Sequence, residues 1–467
     1  MVILGAARQG LALARWLTIH GARVTLSDKR SEAELASVRA ALKELPIQWT
    51  LGGHPIELLD QADMLCLSGG VPTNLPIVEV ATQRRLPLSN DTQIFMDAVP
   101  CKTIGITGSA GKTTTTILVG NMAKAAYPDD RRQTVDSDTA IHRPSTRVYV
   151  GGNIGDPLIN YVDEMQPTDL AILEISSFQL EQMSISPNIA AILNITPNHL
   201  DRHGTMDAYT AAKARILQFQ SARDTAILNR DDPGAWGLLS SVKGNLYSFG
   251  FSKMNEDAQG TYYDHGILVL YEHRVDVPLL RREQIQLRGE HNVMNVLAAF
   301  AIGNAAGLPL DAMLAAAEEF RGAAHRLEFV RELRGACWYN DSIATAPERT
   351  IAAINSFTEP IVLLLGGRDK NLPWEDLAKI IHHRVDHVLL FGEAAGKIQS
   401  ALTVSSPAVR PFSLDRVADL RQAVRRASQI AEAGDVVLLS PGGTSFDEFK
   451  DFEERGERFR LWVQELS

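Results

Sequence analysis

The sequence predicts an α/β protein of three domains, each built on a sheet of mainly parallel strands. Three observations carry that expectation. Short apolar runs alternate with helical patterns over residues 1–97, a glycine-rich turn joins an apolar run to a helix near residue 105, and the same rhythm returns from about Ala323 onward. Strands alternating with helices imply parallel pairing, because each crossover connection returns the chain to the same end of the sheet. The expected domains are residues 1–97, 98–322 and 323–467.

In the first domain Val2–Ala7, Arg23–Asp28, Met64–Ser68 and Leu86–Ser89 read as strands, and Gln9–His20 and Glu32–Leu42 as helices. The opening run has no basic residues before it and is ended by Arg8, so it reads as a buried strand and not as a signal peptide. It starts almost without lead-in, which leaves open a native start upstream of Met1. The turn Gly5-Ala-Ala-Arg-Gln-Gly10 resembles a dinucleotide fingerprint that lacks its middle glycine. Asp28 ends the second strand, where such folds bond a ribose; a capping role is the alternative. In the second domain Thr103–Ile106, Arg147–Val150, Leu170–Glu174 and Ala190–Ile195 read as strands, with helices at Thr113–Ala126, Asp207–Gln220 and Glu290–Ala306. The polar stretch Pro128–Asp138 reads as an exposed insertion or mobile loop. In the third domain Trp338–Asp341, Ile361–Gly366, His387–Phe391 and Val436–Ser440 read as strands.

Composition narrows the function. A net charge of −10 argues against a binder of nucleic-acid backbones, which needs a basic surface. Cys66, Cys101 and Cys337 lie far apart, with neither metal-ligand spacing nor a disulfide framework, which suits a reducing cytoplasm. No run approaches the length of a membrane span.

The chemistry begins at Gly105-Ile-Thr-Gly-Ser-Ala-Gly-Lys-Thr-Thr-Thr-Thr116. A glycine-rich turn from strand to helix presents backbone N–H groups to phosphate; Lys112 adds a point charge and the Thr113 hydroxyl can ligate Mg²⁺. The common phosphate loop would need glycine at 106, where Ile106 stands. Glu174 ends an apolar strand, and in open parallel sheets ligands collect beyond such ends, so it can hold Mg²⁺ or can be a solvated strand end. The next strand runs into Asn194-Ile-Thr-Pro-Asn-His-Leu-Asp-Arg-His203, where His199 is either a metal ligand or a loop residue. Helical spacing places Met206, Tyr209, Lys213 and Ile216 on one face. A lysine there can snorkel, or, if desolvation neutralises it, can react with CO₂ to give a carbamate that offers oxygen to Mg²⁺.

Together these residues resemble the Mur ligase family of ATP-dependent amide-forming enzymes in peptidoglycan synthesis. The family's Thr-Gly-x-x-Gly-Lys-Thr loop stands at Thr107–Thr113, which accounts for Ile106. Glu174 matches its strand-end glutamate, His199 its metal-site histidine and Lys213 its carbamylated lysine. Asn292 and Asn295 match its nucleotide-contacting asparagines, and His325-Arg326 and Asn340-Asp341-Ser342 its ATP segments. The string Leu439–Gly456, with Val150–Gly155 and Ser68–Pro72, resembles the member that adds D-glutamate. Three departures stand out: Ala110 where Asn is frequent, Asn198 where Asp is usual, and Ile343 where many relatives carry Lys.

The resemblance implies a Rossmann-like N-terminal domain holding a UDP-sugar, a central P-loop-like ATPase domain and a Rossmann-like C-terminal domain. It implies ATP-driven joining of D-glutamate to UDP-N-acetylmuramoyl-L-alanine through an acyl phosphate. Lys112, Glu174, His199 and Lys213 would be catalytic. Gly108, Ser109, Ala110, Gly111, Lys112, Thr113, Thr114, Asn292, Asn295, Arg326 and Asp341 would bind ATP. Arg8, Gln9, Asp28, Arg30, Ser68, Asn153 and Gln179 would bind the UDP-sugar. Thr345, Lys370, Ser445, Phe446 and Phe452 would bind D-glutamate, with the Thr444–Phe446 region opening a helix whose N-terminus suits a carboxylate. Two Mg²⁺ ions are expected, one on Thr113 and Glu174 and one on His199 and carbamylated Lys213. A cytoplasmic monomer without nucleic-acid or membrane partners is expected.

Overall fold

The structure is a computed structural model describing residues 1–128, 146–255, 258–370, 372–404 and 412–467. The expected insertion at Pro128–Asp138 lies, apart from Pro128, outside the described residues. Two compact units are present, one of residues 1–286 and 290–320, the other of residues 287–289 and 321–467.

The first unit opens with β1 (Val2–Leu4), α1 (Arg8–Ile19), β2 (Thr25–Asp28), α2 (Ala36–Ala41), β3 (Gln48–Leu51), β4 (Leu65–Leu67), α3 (Pro76–Gln83), β5 (Leu88–Ser89) and α4 (Asp91–Ala98). These five strands pair in parallel in the order β3-β2-β1-β4-β5. All three residues of β1 are buried, as a central strand covered on both faces requires. The strand order reverses beside β1, so the loops after β1 and β4 open together at a switch point.

A second sheet follows in the same unit. Its elements are β6 (Lys102–Thr107), α5 (Lys112–Ala126), β7 (Val148–Gly152), β8 (Leu170–Glu174), α6 (Ser177–Leu180), β9 (Ile189–Ile192), α7 (Leu200–His203), α8 (Met206–Gln218), β10 (Thr225–Asn229), α9 (Pro233–Trp236), β11 (Asn245–Gly250), β12 (Gly260–Asp264), β13 (Ile267–Glu272), β14 (Val275–Arg281), α10 (Glu290–Ala306) and α11 (Leu310–Glu319). The order is β14-β13-β12-β11-β10-β9-β6-β8-β7, parallel from β7 to β12 and closed by an antiparallel ribbon. Sequence patterning locates β6 to β9 but not the five strands beyond them. β6 lies between β8 and β9, so a second switch point faces the phosphate loop, Glu174 and Asn194.

The second unit comprises β15 (Glu328–Leu333), β16 (Ala336–Asn340), α12 (Pro347–Ile354), β17 (Ile361–Gly366), α13 (Glu375–Arg384), β18 (His387–Phe391), α14 (Ala395–Val404), β19 (Ser413–Arg416), α15 (Leu420–Ile430), β20 (Val436–Gly442) and α16 (Phe452–Glu465). The sheet order is β15-β16-β20-β17-β18-β19, with only β15 antiparallel to its neighbour. β17 and β20 are buried along their whole length, sandwiched between two apolar clusters. Among the described residues no helix is long and apolar enough to cross a membrane.

Ile172 is fully buried midway along β8, between β6 and β7. Ile172→Ala should cost about 2–5 kcal/mol through lost transfer energy and the cavity left behind. Urea unfolding measures it, and a loss below about 1 kcal/mol would contradict the close packing of this sheet.

Candidate active site

The phosphate loop runs from β6 to α5 and depends on Gly111, whose φ of 82° lies in the left-handed region. A Cβ at Gly111 would also lie 2.2 Å from Asn295 Oδ1 on α10. Asn295 Nδ2 in turn donates to Asn292 Oδ1 at 3.0 Å, so the structure brings both asparagines beside the loop. Asn194 fixes the loop from the other side. Its Oδ1 accepts from the Ala110 N–H at 2.8 Å and its Nδ2 donates to the Ala110 carbonyl at 3.1 Å. Ser109 accepts from the Thr196 N–H at 2.9 Å and shares a 3.0 Å bond with the Tyr209 hydroxyl. Lys112 Nζ donates to the Gly108 carbonyl at 2.8 Å. Thr114 lies buried in the first turn of α5.

Glu174 is only 2 % exposed. Thr113 Oγ1 donates to its Oε2 at 2.8 Å and Asn153 Nδ2 to its Oε1 at 2.9 Å. Lys213 is 1 % exposed, and its Nζ donates to Thr107 Oγ1 at 3.3 Å. Burial pushes the Lys213 amine down to about 6, helped by Lys112 and opposed by Glu174. His199 sits on the exposed loop after β9 with φ 53°, its ring edge-on to Phe178 at 5.2 Å. Thr113 and Glu174 form a hard oxygen pair suited to Mg²⁺. An amine lowered this far by burial is suited to carbamate formation, which would make Lys213 an oxygen donor.

Around the first switch point, Gln9 Oε1 accepts from the Gly69 N–H at 3.3 Å, beside buried Ser68. Arg8 is exposed at the start of α1. The Asp28 carboxylate accepts from the Ala6 N–H at 2.6 Å and from Arg30 at 2.8 and 2.9 Å. Bonding to Arg30 holds it well below the usual carboxylate range. Gln179 is buried, with Oε1 accepting from Ser176 at 2.9 Å and Nε2 donating to Thr92 at 2.7 Å, which ties α6 to α4.

In the second unit Asp341 is buried at the end of β16 and accepts from Ser440 Oγ at 2.8 Å and the Leu327 N–H at 3.2 Å. Those bonds fix the turn carrying Arg326. Lys370 Nζ donates to Thr345 Oγ1 at 3.3 Å. Phe452 meets His325 edge-on at 6.3 Å, whereas Phe446 is 59 % exposed. One expectation is corrected: Thr444–Phe446 does not open a helix. Thr444 is captured by backbone bonds to Arg368, Ser445 closes a turn through its carbonyl, and α16 starts at Phe452 behind the Asp451 cap.

Sequence reasoning missed Asn194, Phe178, Arg202, His203 and Arg455. The first four lie in or beside the strand-end segments around Glu174 and His199, and Arg455 lies in the C-terminal string. They fall within or beside the motifs that single out His199 and the amino-acid site, and nothing in their spacing marks them separately.

The chain matches three family models: the Mur ligase MurD-like N-terminal domain over residues 1–89, the Mur ligase middle domain over 106–303, and the Mur ligase glutamate ligase domain over 325–443. A UDP-N-acetylmuramoylalanine--D-glutamate ligase from Symbiobacterium thermophilum is 37 % identical over 465 residues, covering 100 % of this chain and 98 % of its own. The protein of the same name from Caldanaerobacter subterraneus subsp. tengcongensis is 38 % identical, covering 99 % and 98 %. The chain belongs to the Mur ligase family. Its three-domain α/β architecture also matches solved Mur ligases. The UDP-N-acetylmuramate-alanine ligase MurC of Thermotoga maritima aligns with a TM-score of 0.55 at 20 % identity, covering 99 % of both chains. The MurF ligase of the same organism, solved with ADP, aligns with a TM-score of 0.51 at 18 % identity, covering 87 % of this chain and 90 % of its own.

Burial pushes the Asp341 carboxyl up to about 7, from an ordinary 3.8. Between those values the folded Mur ligase binds more protons than the unfolded chain, so this group's contribution to stability falls as pH rises toward 7 and levels off above it. Asp341→Asn keeps the shape and does not titrate. The urea-midpoint difference, wild type minus variant, should therefore shrink between about pH 5 and about pH 8. A flat difference would contradict a buried, titrating Asp341.

Proposed function

We propose that this Mur ligase uses ATP to join the amine of D-glutamate to the alanine carboxylate of UDP-N-acetylmuramoyl-L-alanine, as a cytoplasmic monomer. The observation that carries the reading is a phosphate loop sharing its switch point with a buried carboxylate and a buried lysine. Nucleotide binding alone needs the loop; a buried Glu174 and Lys213 beside it suit the stabilisation of charge on an activated carboxylate. The full-length likeness to ligases named for D-glutamate supports the choice of amine.

In this reading the loop amides and Lys112 hold the β- and γ-phosphates, Lys112 exchanging its bond to Gly108 for the nucleotide. Asn292 and Asn295 border the same loop, and Arg326 and Asp341 belong to the nucleotide as well. Two Mg²⁺ ions, one held by Thr113 and Glu174 and one by His199 and carbamylated Lys213, would neutralise charge on the phosphates and the acceptor carboxylate. A carboxylate oxygen of the alanine attacks the γ-phosphorus of ATP, the bond to the bridging β–γ oxygen breaks, and ADP leaves. The D-glutamate amine then attacks the acyl phosphate, and the tetrahedral intermediate expels phosphate. Arg8, Gln9, Asp28, Arg30 and Ser68 serve the UDP-sugar, with Asn153 at its peptide end. Gln179 serves this site by holding α6 in place. Thr345, Lys370, Ser445, Phe446 and Phe452 serve D-glutamate, and we retain domain boundaries at 97/98 and 322/323.

Phosphate release from ATP by the purified protein should require both UDP-N-acetylmuramoyl-L-alanine and D-glutamate. Equal release with L-glutamate would overturn the assignment. Lys213→Ala should lower turnover by at least about a thousandfold while thermal unfolding stays cooperative. Near-normal turnover in that variant would sink the carbamate role.

A further inference from the structure

One turn of chain after β9 links the two switch points of the first unit. The Arg202 and His203 N–H groups both donate to the His199 carbonyl, at 3.1 and 3.0 Å, so the three residues are bonded into a single turn. Arg202 reaches the loop after β4. Its Nη1 donates to the Gly69 carbonyl at 3.2 Å and its Nη2 to the Val71 carbonyl at 2.6 Å. The other side of that loop is held by Gln9, and a Cβ on Gly69 would lie 2.7 Å from Gln9 Oε1. The loop is thus clamped between an amide on α1, which follows the first strand of the first sheet, and a guanidinium on α7, which follows β9 of the second.

The guanidinium does not stand alone. It lies 3.7 Å from the centre of the Phe178 ring, close enough for a strong cation–π contact. Phe178 stacks on His203 at 5.1 Å with planes 7° apart, and meets His199 edge-on. His203 is locked by Ser177 Oγ at 2.9 Å and Glu181 Oε1 at 3.0 Å, and its ring borders Tyr209, whose hydroxyl bonds Ser109 of the phosphate loop. An unbroken chain of packed and bonded groups therefore runs from the Gly69–Val71 loop to His199 and the phosphate loop.

We propose that Arg202, carried on Phe178, is a positioning residue that sets the UDP-sugar loop in register with His199 and the phosphate loop, so that the acceptor carboxylate meets the transferred phosphoryl group. This rests on the function proposed above. Charged donors on two carbonyls of one loop fix its height and its tilt, which a single bond would not. The cost of losing them falls on the substrate that the loop receives and not on the nucleotide.

Steady-state kinetics on the full chain tests it. Arg202→Met keeps the aliphatic stem and removes both bonds. KM for UDP-N-acetylmuramoyl-L-alanine should rise about tenfold and kcat fall severalfold, with KM for ATP and D-glutamate within about twofold of wild type. Phe178→Leu should move the same parameter, and the double variant should lose less than the product of the two effects. Unaltered ADP binding shows that Arg202→Met folds. An unchanged KM for the UDP-sugar, or a parallel rise for all three substrates, overturns the positioning role. Wild-type protein without UDP-sugar-dependent phosphate release overturns instead the function on which it rests, and does so before any variant is made.

Discussion

Glu174 carries a carboxylate into the interior of the first unit, and the residues around it are arranged to keep that charge paired. A buried charge without partners costs several kcal/mol, so the fold must bring donors to it. Thr113 comes from the first turn of α5 and Asn153 from the loop after β7. Gly152 makes the second approach possible: with φ 101° it has no Cβ, where one would lie 2.5 Å from the Glu174 carbonyl. The Asn153 N–H then donates to that carbonyl at 2.8 Å. Lys213 is buried in the same region, where Glu174 partly offsets the loss of solvation that drives its amine toward neutrality. The strand order β9-β6-β8-β7 makes this convergence possible, because the ends of β6, β7, β8 and β9 open on one edge.

The second unit solves a similar problem with a buried arginine. Arg455 is 0 % exposed, and its guanidinium donates to the Ser342 hydroxyl and carbonyl at 3.0 and 2.8 Å and to the Gly443 carbonyl at 3.1 Å. It thereby ties the segment after β16 to the segment after β20. Next to it, Gly456 leaves room for the His325 ring, which a Cβ would approach to 2.1 Å. Asn340 Nδ2 spans His325, Glu328 and the Gly456 carbonyl. His325 and Leu327 both hold positive φ, and these bonds are what keep that turn, with Arg326 at its centre, in a conformation side chains otherwise avoid.

What the sequence discloses follows burial and chemistry. Leu170–Glu174, Ile361–Gly366 and His387–Phe391 are legible to the residue because central parallel strands are continuous apolar runs. Glu328–Leu333 and Ser413–Arg416 are edge strands with charged residues, and Val275–Arg281 is an edge strand exposed at four of its seven residues without regular alternation, so none stands out from loop. In the site, the loop, Glu174 and Lys213 are legible because each is an anomaly: a glycine cluster, an acid closing an apolar run, a lysine on an apolar face. Asn194, Arg202 and Arg455 act through backbone carbonyls and amides, a use that sets no spacing and requires no unusual neighbour. Gly-Gly-Thr-Ser resembles a helix start at Thr444, but the pair that caps is Asp451 and Glu454, with Asp451 seven residues further on.

The departures from the family pattern divide along the same line. Ala110 replaces a frequent asparagine, yet both its backbone groups are bonded by the Asn194 side chain, so the loop's shape is set at 194 and the side chain at 110 is free to vary. Ile343 is different, because a cation is lost. Its N–H donates to the His325 carbonyl at 3.1 Å, which any residue supplies, but its half-buried side chain carries no charge. Of two arginines that could offset this, Arg368 is held in two bonds by Glu393, at 2.8 and 2.9 Å. Arg349 is exposed on the first turn of α12, and its charge already acts on Asp341, favouring the ionised carboxylate against the effect of burial. Arg326, from the turn before β15, acts on the same carboxylate in the same direction and ahead of Arg349, so the charge at the end of β16 is offset from two other segments and not from position 343. A backbone contact tolerates substitution at its own position, whereas a missing charge must be answered from another element.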